Sequence, residues 1–161
     1  MLITILPTNW QQHQADLIKI RTDVFMHEQQ ICAADEWDGL DEHATHFLVR
    51  TSTDHTIGCA RFLREEHDGK SLYHIGRVAI LKSFRGQGLG HELIAFIIDF
   101  CKKSAPESSI YLHAQTDRQG FYETLGFVAE GDIFMDAGIP HISMYLTCAD
   151  DVERNSDRQH G

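Results

Sequence analysis

The stretch Val78-Ala79-Ile80-Leu81-Lys82-Ser83-Phe84-Arg85-Gly86-Gln87-Gly88-Leu89-Gly90 decides the fold. An apolar run enters a turn with glycine at every second position, and an amphipathic segment begins at once. Glycine permits positive φ and carries no Cβ, so backbone N–H groups can face an anion at close range. The start of a helix adds N–H groups without an intrahelical acceptor and a partial positive charge. Arg85 supplies a guanidinium able to grip a phosphate through two parallel bonds. Strand, glycine turn and helix together predict a phosphate cradle; the plain alternative is a flexible turn that caps a helix.

Three phosphate-binding patterns compete for this role. A P-loop needs GxxxxGK[ST], and Gly69-Lys70-Ser71 has Arg64 where the first glycine belongs. A dinucleotide fingerprint needs GxGxxG, and after Gly86 and Gly88 the third glycine position holds His91. The pattern [RQ]xxGx[GA], which holds the pyrophosphate of an acyl-CoA, is met by Arg85, Gly88 and Gly90.

Upstream of this turn, Met1–Leu6 reads as a strand punctuated by Pro7–Asn9. Leu17, Ile18, Ile20, Val24 and Phe25 mark the buried stripe of a helix from Gln11 to about Gln30. Ala33–Glu42 is acidic, contains Gly39 and reads as a loop. Strands are expected at His46–Arg50, Thr56–Arg64 and Ser71–Ile80, with turns at Thr53-Asp54-His55 and His67-Asp68-Gly69-Lys70. Downstream, Leu89, Leu93, Phe96, Ile97, Phe100 and Cys101 share a helical face. Ser108–Ala114 is a strand, and Arg118–Leu125 a short helix closed by Gly126. Phe127–Phe134 and His141–Leu146 are the last strands, around Gly138-Ile139-Pro140. This order predicts an α/β (α+β) layer architecture in a single domain, residues 1–148, with a polar, disordered tail at 149–161.

The chain has 161 residues, 42% hydrophobic and 24% charged, an ordinary globular balance. Against 24 Asp and Glu stand 14 Lys and Arg, a formal charge of −10. That deficit argues against sequence-independent binding to nucleic acid or to an anionic membrane, both of which need clustered cations. The longest apolar run, Leu93 to Ile98, is far too short to span a bilayer. Lys19 and Arg21 are the first cations, so no basic flank marks a secretory signal. Cys32, Cys59, Cys101 and Cys148 form no CxxC, which suggests neither a zinc site nor a disulfide framework. A reduced, cytoplasmic protein without a metal is expected.

Several ordered motifs make the chain recognisable. Gly76-Arg77-Val78-Ala79-Ile80, the glycine turn, Ala114-Gln115 and Phe121-Tyr122-Glu123-Thr124-Leu125-Gly126-Phe127 resemble the GNAT superfamily of N-acetyltransferases. Val24-Phe25 with Glu28-Gln29, Asp38-Gly39 with Asp41, and Gly138-Ile139-Pro140-His141-Ile142 resemble its ElaA-like branch. The resemblance covers about Leu2 to Leu146. It implies a mixed, mostly antiparallel sheet splayed at strand 4 and flanked by helices, and transfer of an acetyl group from acetyl-CoA to a primary amine. The acceptor, a small molecule or a peptide, stays open. Many relatives pair as dimers, and the sequence leaves a homodimer open too.

The same resemblance implies roles for single residues. A bulge would free the backbone of Val78, Ala79 and Ile80 to pair with the pantetheine amides, and one freed N–H to stabilise the oxyanion. Arg85, Gly86, Gln87, Gly88, Leu89 and Gly90 would hold the pyrophosphate, and Phe121 would join the cofactor site. Gln115 stands where the wider family commonly has Asn, and its amide either anchors the cofactor or closes the splayed sheet. Tyr122, a phenol protonated at neutral pH, would give a proton to the departing thiolate, unless it is only a core aromatic beside Phe121 and Phe127. For the base that takes the amine proton, His74 falls where some relatives carry Glu, and Glu28 and His141 are its rivals.

Two other readings share this cradle: a non-catalytic acyl-CoA sensor, and a transferase that uses a different acyl-CoA. His43-Ala-Thr-His46 with Asp41 is read as strand-side structure rather than a metal cluster. His27-Glu28 and His91-Glu92 begin like HExxH but meet Ile31 and Ala95 where the second histidine belongs. The acidic run Asp35, Glu36, Asp38, Asp41 and Glu42 reads as a solvated loop, with attraction of a cationic amine as the second option.

Overall fold

A computed structural model describes residues 2–147; the tail expected at 149–161 lies outside the described residues. In chain order the elements are β1 (Ile3–Thr8), α1 (Trp10–Arg21), a π-helical turn (Thr22–Glu28), α2 (Ala33–Glu36), β2 (Thr45–Thr51), β3 (Thr56–His67), β4 (Lys70–Ile80), α3 (Leu89–Ser104), β5 (Ser109–Gln115), α4 (Gln119–Glu123), β6 (Val128–Asp136) and β7 (Ile139–Thr147). The strands follow the order β1-β2-β3-β4-β5-β7-β6. Pairs β1–β2, β2–β3, β5–β7 and β6–β7 are antiparallel. The sheet is thus mixed and mostly antiparallel, with the parallel β4–β5 pair as its splay. No helix among the described residues is long and apolar enough to cross a membrane.

The chain forms two compact units, one from residues 2–63 and 75–96, the other from 64–74 and 97–147. In the first, Leu17, Ile20, Val24 and Phe25 pack with Leu48, Cys59 and Ala79, and Leu6, Trp10, Ile31 and Leu81 close over them. β2 buries Phe47, Leu48 and Val49 in succession, the pattern of a strand covered on both faces. Gly58 in β3 is required by close approach: a Cβ there would lie 2.7 Å from Ile80 Cδ1 and 2.9 Å from Val49 Cγ2. In the second unit Ile110, Leu112 and Ala114 are buried on one face of β5, and the period of two turns Tyr111, His113 and Gln115 to the other.

Several expectations need correction. β1 continues through Pro7 to Thr8; it is an edge strand, so the missing proline N–H costs little. The long helix expected from Gln11 is two pieces. α1 is capped by Asn9, whose Oδ1 accepts the Gln12 N–H at 2.8 Å, and ends at Arg21. The wider turn follows, with Gln29 N–H on the Val24 carbonyl at 3.0 Å and Ile31 N–H on the Phe25 carbonyl at 2.8 Å. The loop expected at Ala33–Glu42 contains α2 and a 3₁₀ turn at Asp41–His43. Inside β4, Arg77 is left-handed (φ 51°), the mark of a local bulge.

Candidate functional site

In the first unit the end of β4 is anchored by the Leu81 N–H, which donates to the Ile57 carbonyl at 2.9 Å. A 3₁₀ turn at Lys82–Phe84 then feeds the glycines. Gly86 (φ 81°) and Gly88 (φ 80°) adopt the left-handed conformation that the sequence pattern requires, and a Cβ at either would meet open space. Glu92 N–H bonds the Gly88 carbonyl at 3.1 Å as α3 begins. The turn is therefore an exposed loop of special backbone geometry at a helix start, the form that receives anions.

Arg85 is already engaged. Its Nε donates to the Ile80 carbonyl at 2.9 Å, and its two terminal nitrogens donate to both oxygens of Glu28 at 2.5 and 2.7 Å. The Arg85 hydrogen bonds hold the Glu28 carboxyl below the usual carboxylate range, and Glu28 in turn raises the Arg85 guanidinium. A carboxylate held deprotonated in this way is a poor proton acceptor. The π-helical turn, which ends at Glu28, brings the two together.

Beside β4 lies a network that sequence reasoning missed. Arg21 Nε donates to Glu36 Oε1 and its Nη1 to Asp41 Oδ1, each at 2.6 Å, and Arg21, Glu36 and Asp41 are all buried. The guanidinium carbon of Arg21 stands 4.8 Å from the Trp37 ring centre and 5.8 Å from that of Trp10. Arg61 takes both oxygens of Asp38, at 2.8 and 2.7 Å, and reaches Asp41 at 3.2 Å. Arg77 Nη2 donates to the Glu36 and Asp35 carbonyls at 2.9 and 3.1 Å, with its Nε 3.2 Å from Glu36 Oε2. The acidic run is thus largely a set of internal partners rather than a solvated face. A left-handed residue other than glycine costs about 1–2 kcal/mol, and these contacts to the Arg77 side chain offset that cost. Burial works against the Asp38 charge, but the bonds from Arg61 and the Leu40 N–H, with the charges of Arg61 and Arg77, prevail and bring its carboxyl to about 2. His46 is used structurally: its Nε2–H donates to the Asp41 carbonyl at 2.9 Å, and burial pushes the ring down.

The second unit holds Tyr122 and the imidazoles. Tyr122 lies in α4, edge-on to Phe121 (5.0 Å) and Phe127 (6.0 Å). Burial pushes its hydroxyl up, so the phenol keeps its proton at neutral pH. Gln115 is the cross-strand partner of His141. His141 Nδ1–H donates to the Ile139 carbonyl at 2.7 Å, which leaves Nε2 as the acceptor nitrogen of the neutral ring. His74 stacks flat on Tyr111, centroids 4.4 Å apart and planes at 9°, with His113 at 4.9 Å. Tyr111 donates to Glu65 Oε1 at 2.7 Å. Burial, reinforced by Glu65, pushes the Tyr111 hydroxyl up, and burial pushes His113 down. Glu65, Tyr111 and His113 escaped the sequence reading because they meet only through strand pairing. Among the described residues no group of three or more His, Cys, Asp or Glu is placed to hold a metal ion.

Comparison with known proteins completes the picture. The profile of the acetyltransferase (GNAT) domain family matches residues 15–148. The chain is 35% identical over 147 residues to the uncharacterized protein YyaT of Bacillus subtilis, covering 89% of this chain and 94% of that protein. It is 31% identical over 129 residues to the protein ElaA of Escherichia coli, covering 80% and 83%. The crystal structure of ElaA superposes with a TM-score of 0.80 at 28% identity, over 89% of this chain and 99% of that one. An acyl-CoA N-acyltransferase from Pseudomonas aeruginosa gives 0.79 at 30% identity, over the same shares.

Proposed function

The chain belongs to the GNAT family of acetyltransferases, as an ElaA-like member, and from that premise we propose that it transfers an acetyl group from acetyl-CoA to a primary amine by direct attack in a ternary complex. GNAT proteins bind acetyl-CoA or CoA. The observation that carries the reading is the pair of left-handed glycines, Gly86 and Gly88, set between β4 and α3. In this reading the backbone of Val78, Ala79 and Ile80 pairs with the pantetheine amides, and one freed N–H steadies the oxyanion. The turn from Arg85 to Gly90 grips the pyrophosphate, chiefly through the backbone N–H groups of its glycines and of the helix start. Phe121 and the Gln115 amide complete the cofactor side.

The amine nitrogen forms a bond to the thioester carbon and the C–S bond breaks. His74 takes the proton that the nitrogen loses, and Tyr122 gives its proton to the sulfur. Support for this division lies in the geometry of single residues: Glu28 is tied to Arg85, whereas Tyr122 is held protonated by burial. His141 faces the acceptor, a small-molecule or peptide amine.

Calorimetry with CoA and a thiol-release assay over an amine panel test the proposal. Saturable CoA binding and amine-dependent thiol release are expected. Tyr122→Phe should keep CoA affinity and lower turnover about a hundredfold. Absence of CoA binding overturns the reading, and binding without turnover over a broad panel favours an acyl-CoA sensor.

A further inference from the structure

Glu65 is brought beside His74 by the shape of one hairpin. β3 and β4 are joined by Asp68 (φ 53°) and Gly69 (φ 77°), a two-residue turn with both central residues left-handed. Such a turn pairs His67 with Lys70, hence Glu65 with Leu72, and so sets Glu65 and His74 diagonally on the same face. The two oxygens of Glu65 then divide their work. Oε1 accepts the Tyr111 hydroxyl at 2.7 Å and the His67 Nε2–H at 3.1 Å. Oε2 stands 3.7 Å from His74 Nδ1.

We infer that Glu65 is the positioning residue that orients His74 and favours its protonated form, with Tyr111 as the brace for both; the inference rests on the proposed reading of His74 as the base. A carboxylate beside Nδ1 keeps the hydrogen on that nitrogen and leaves Nε2 to accept a proton. It also stabilises the imidazolium that results, at an ion-pair distance where only part of the pair is exposed to water. The flat stack on Tyr111 holds the plane of the ring. Glu65 therefore sets the charge of the imidazole and which nitrogen faces the carboxylate, while Tyr111 holds the plane of the ring. Glu65 from β3 and Tyr111 and His113 from β5 face His74, and His67 from β3 reaches Glu65. Tyr145 of β7 stacks on Tyr111 at 5.8 Å, and Asp136 and His141 act on His113 from the strands beyond. Of these, Glu65 is the carboxylate whose oxygen is turned to the His74 ring.

The test uses the full chain with ¹³C-labelled histidine and an NMR titration in which His74→Gln identifies the His74 signal. Glu65→Gln should move the His74 midpoint to lower pH, and Glu65→Asp, which keeps the charge, should leave most of it in place. Tyr111→Phe should not lower it. In the transfer assay, Glu65→Gln should carry the acidic limb of kcat/KM to lower pH and reduce the plateau several-fold. A His74 midpoint unmoved by Glu65→Gln overturns the inference, as does an equal fall in Tyr111→Phe, which would make ring packing rather than charge the cause. If no amine supports thiol release, the functional reading itself falls, and the titration, which needs no turnover, tells that failure from an absent Glu65–His74 pairing.

Discussion

Around Arg21, in the first unit, guanidinium groups and carboxylates are locked together, with Arg21, Glu36, Asp41 and Arg61 out of water; around His74, in the second, a half-buried imidazole, phenol and carboxylate lie beside the exposed His113. Both clusters are dense in charge and hydrogen bonds, yet their chemistry diverges. A guanidinium stays protonated across the whole biological range, so the first cluster can only hold structure. Imidazole changes charge near neutral pH, so the second can move a proton. At the centre of the first cluster Arg21 finds its partners from within, in Glu36, Asp41 and two tryptophan rings. Residue type and burial, rather than the number of charges, separate scaffold from candidate chemistry.

The comparison can be broken most forcefully at Glu36. Glu36→Ala removes a buried partner from both Arg21 and Arg77, and urea denaturation should show a loss of about 3–5 kcal/mol. Stability equal to the parent would mean that the arginine cluster is not the scaffold described. His74→Gln should act the other way, lowering turnover about a hundredfold while stability changes by less than about 1 kcal/mol. A large loss of stability there would move His74 to the structural side. Arg77 sharpens the comparison within the first cluster: Arg77→Gly and Arg77→Ala lose the same contacts, but glycine relieves the left-handed backbone and should be more stable by about 1 kcal/mol. Equal midpoints in urea would show that the strain is not real.

The smallest expected effect is at acid pH. Asp38, with its folded value brought to about 2, contributes stability that is complete above its unfolded value near 3.9 and is lost as pH falls toward 2. Acid titration of the folded protein should therefore steepen between roughly pH 4 and pH 2, and Asp38→Asn should flatten that window. An unchanged slope would place the Asp38–Arg61 pair among weak surface contacts.

Much of the frame was legible because its signals are local. Strand β4, the glycine turn and α3 follow one another without a break, and their residues state their own backbone needs: apolar entry, φ-permissive turn, amphipathic exit. β5 was likewise legible as a strand at Ser108–Ala114, and the structure buries its Ile110, Leu112 and Ala114. The π-helical turn was not legible, since seven residues are too few to separate its period from that of an α-helix. Pro7 misled for a related reason, because whether proline ends a strand depends on whether the strand is an edge, and edges belong to the sheet.

The candidate site divides along the same line. The glycine pattern marked out the cradle at Arg85 to Gly90, and the resemblance to the GNAT superfamily pointed to the phenol at Tyr122 and the imidazoles at His74 and His141. Tertiary structure alone decided their partners: Glu28 on Arg85, Glu65 and Tyr111 on His74, Glu36 on both Arg21 and Arg77. Those pairs are separated by 57 residues for Glu28 and Arg85 and by 46 for Glu65 and Tyr111. Backbone conformation is set by neighbours in the chain and leaves a periodic trace, whereas a charge pairs with whatever folding brings within a few ångströms. No spacing in one sequence records that choice.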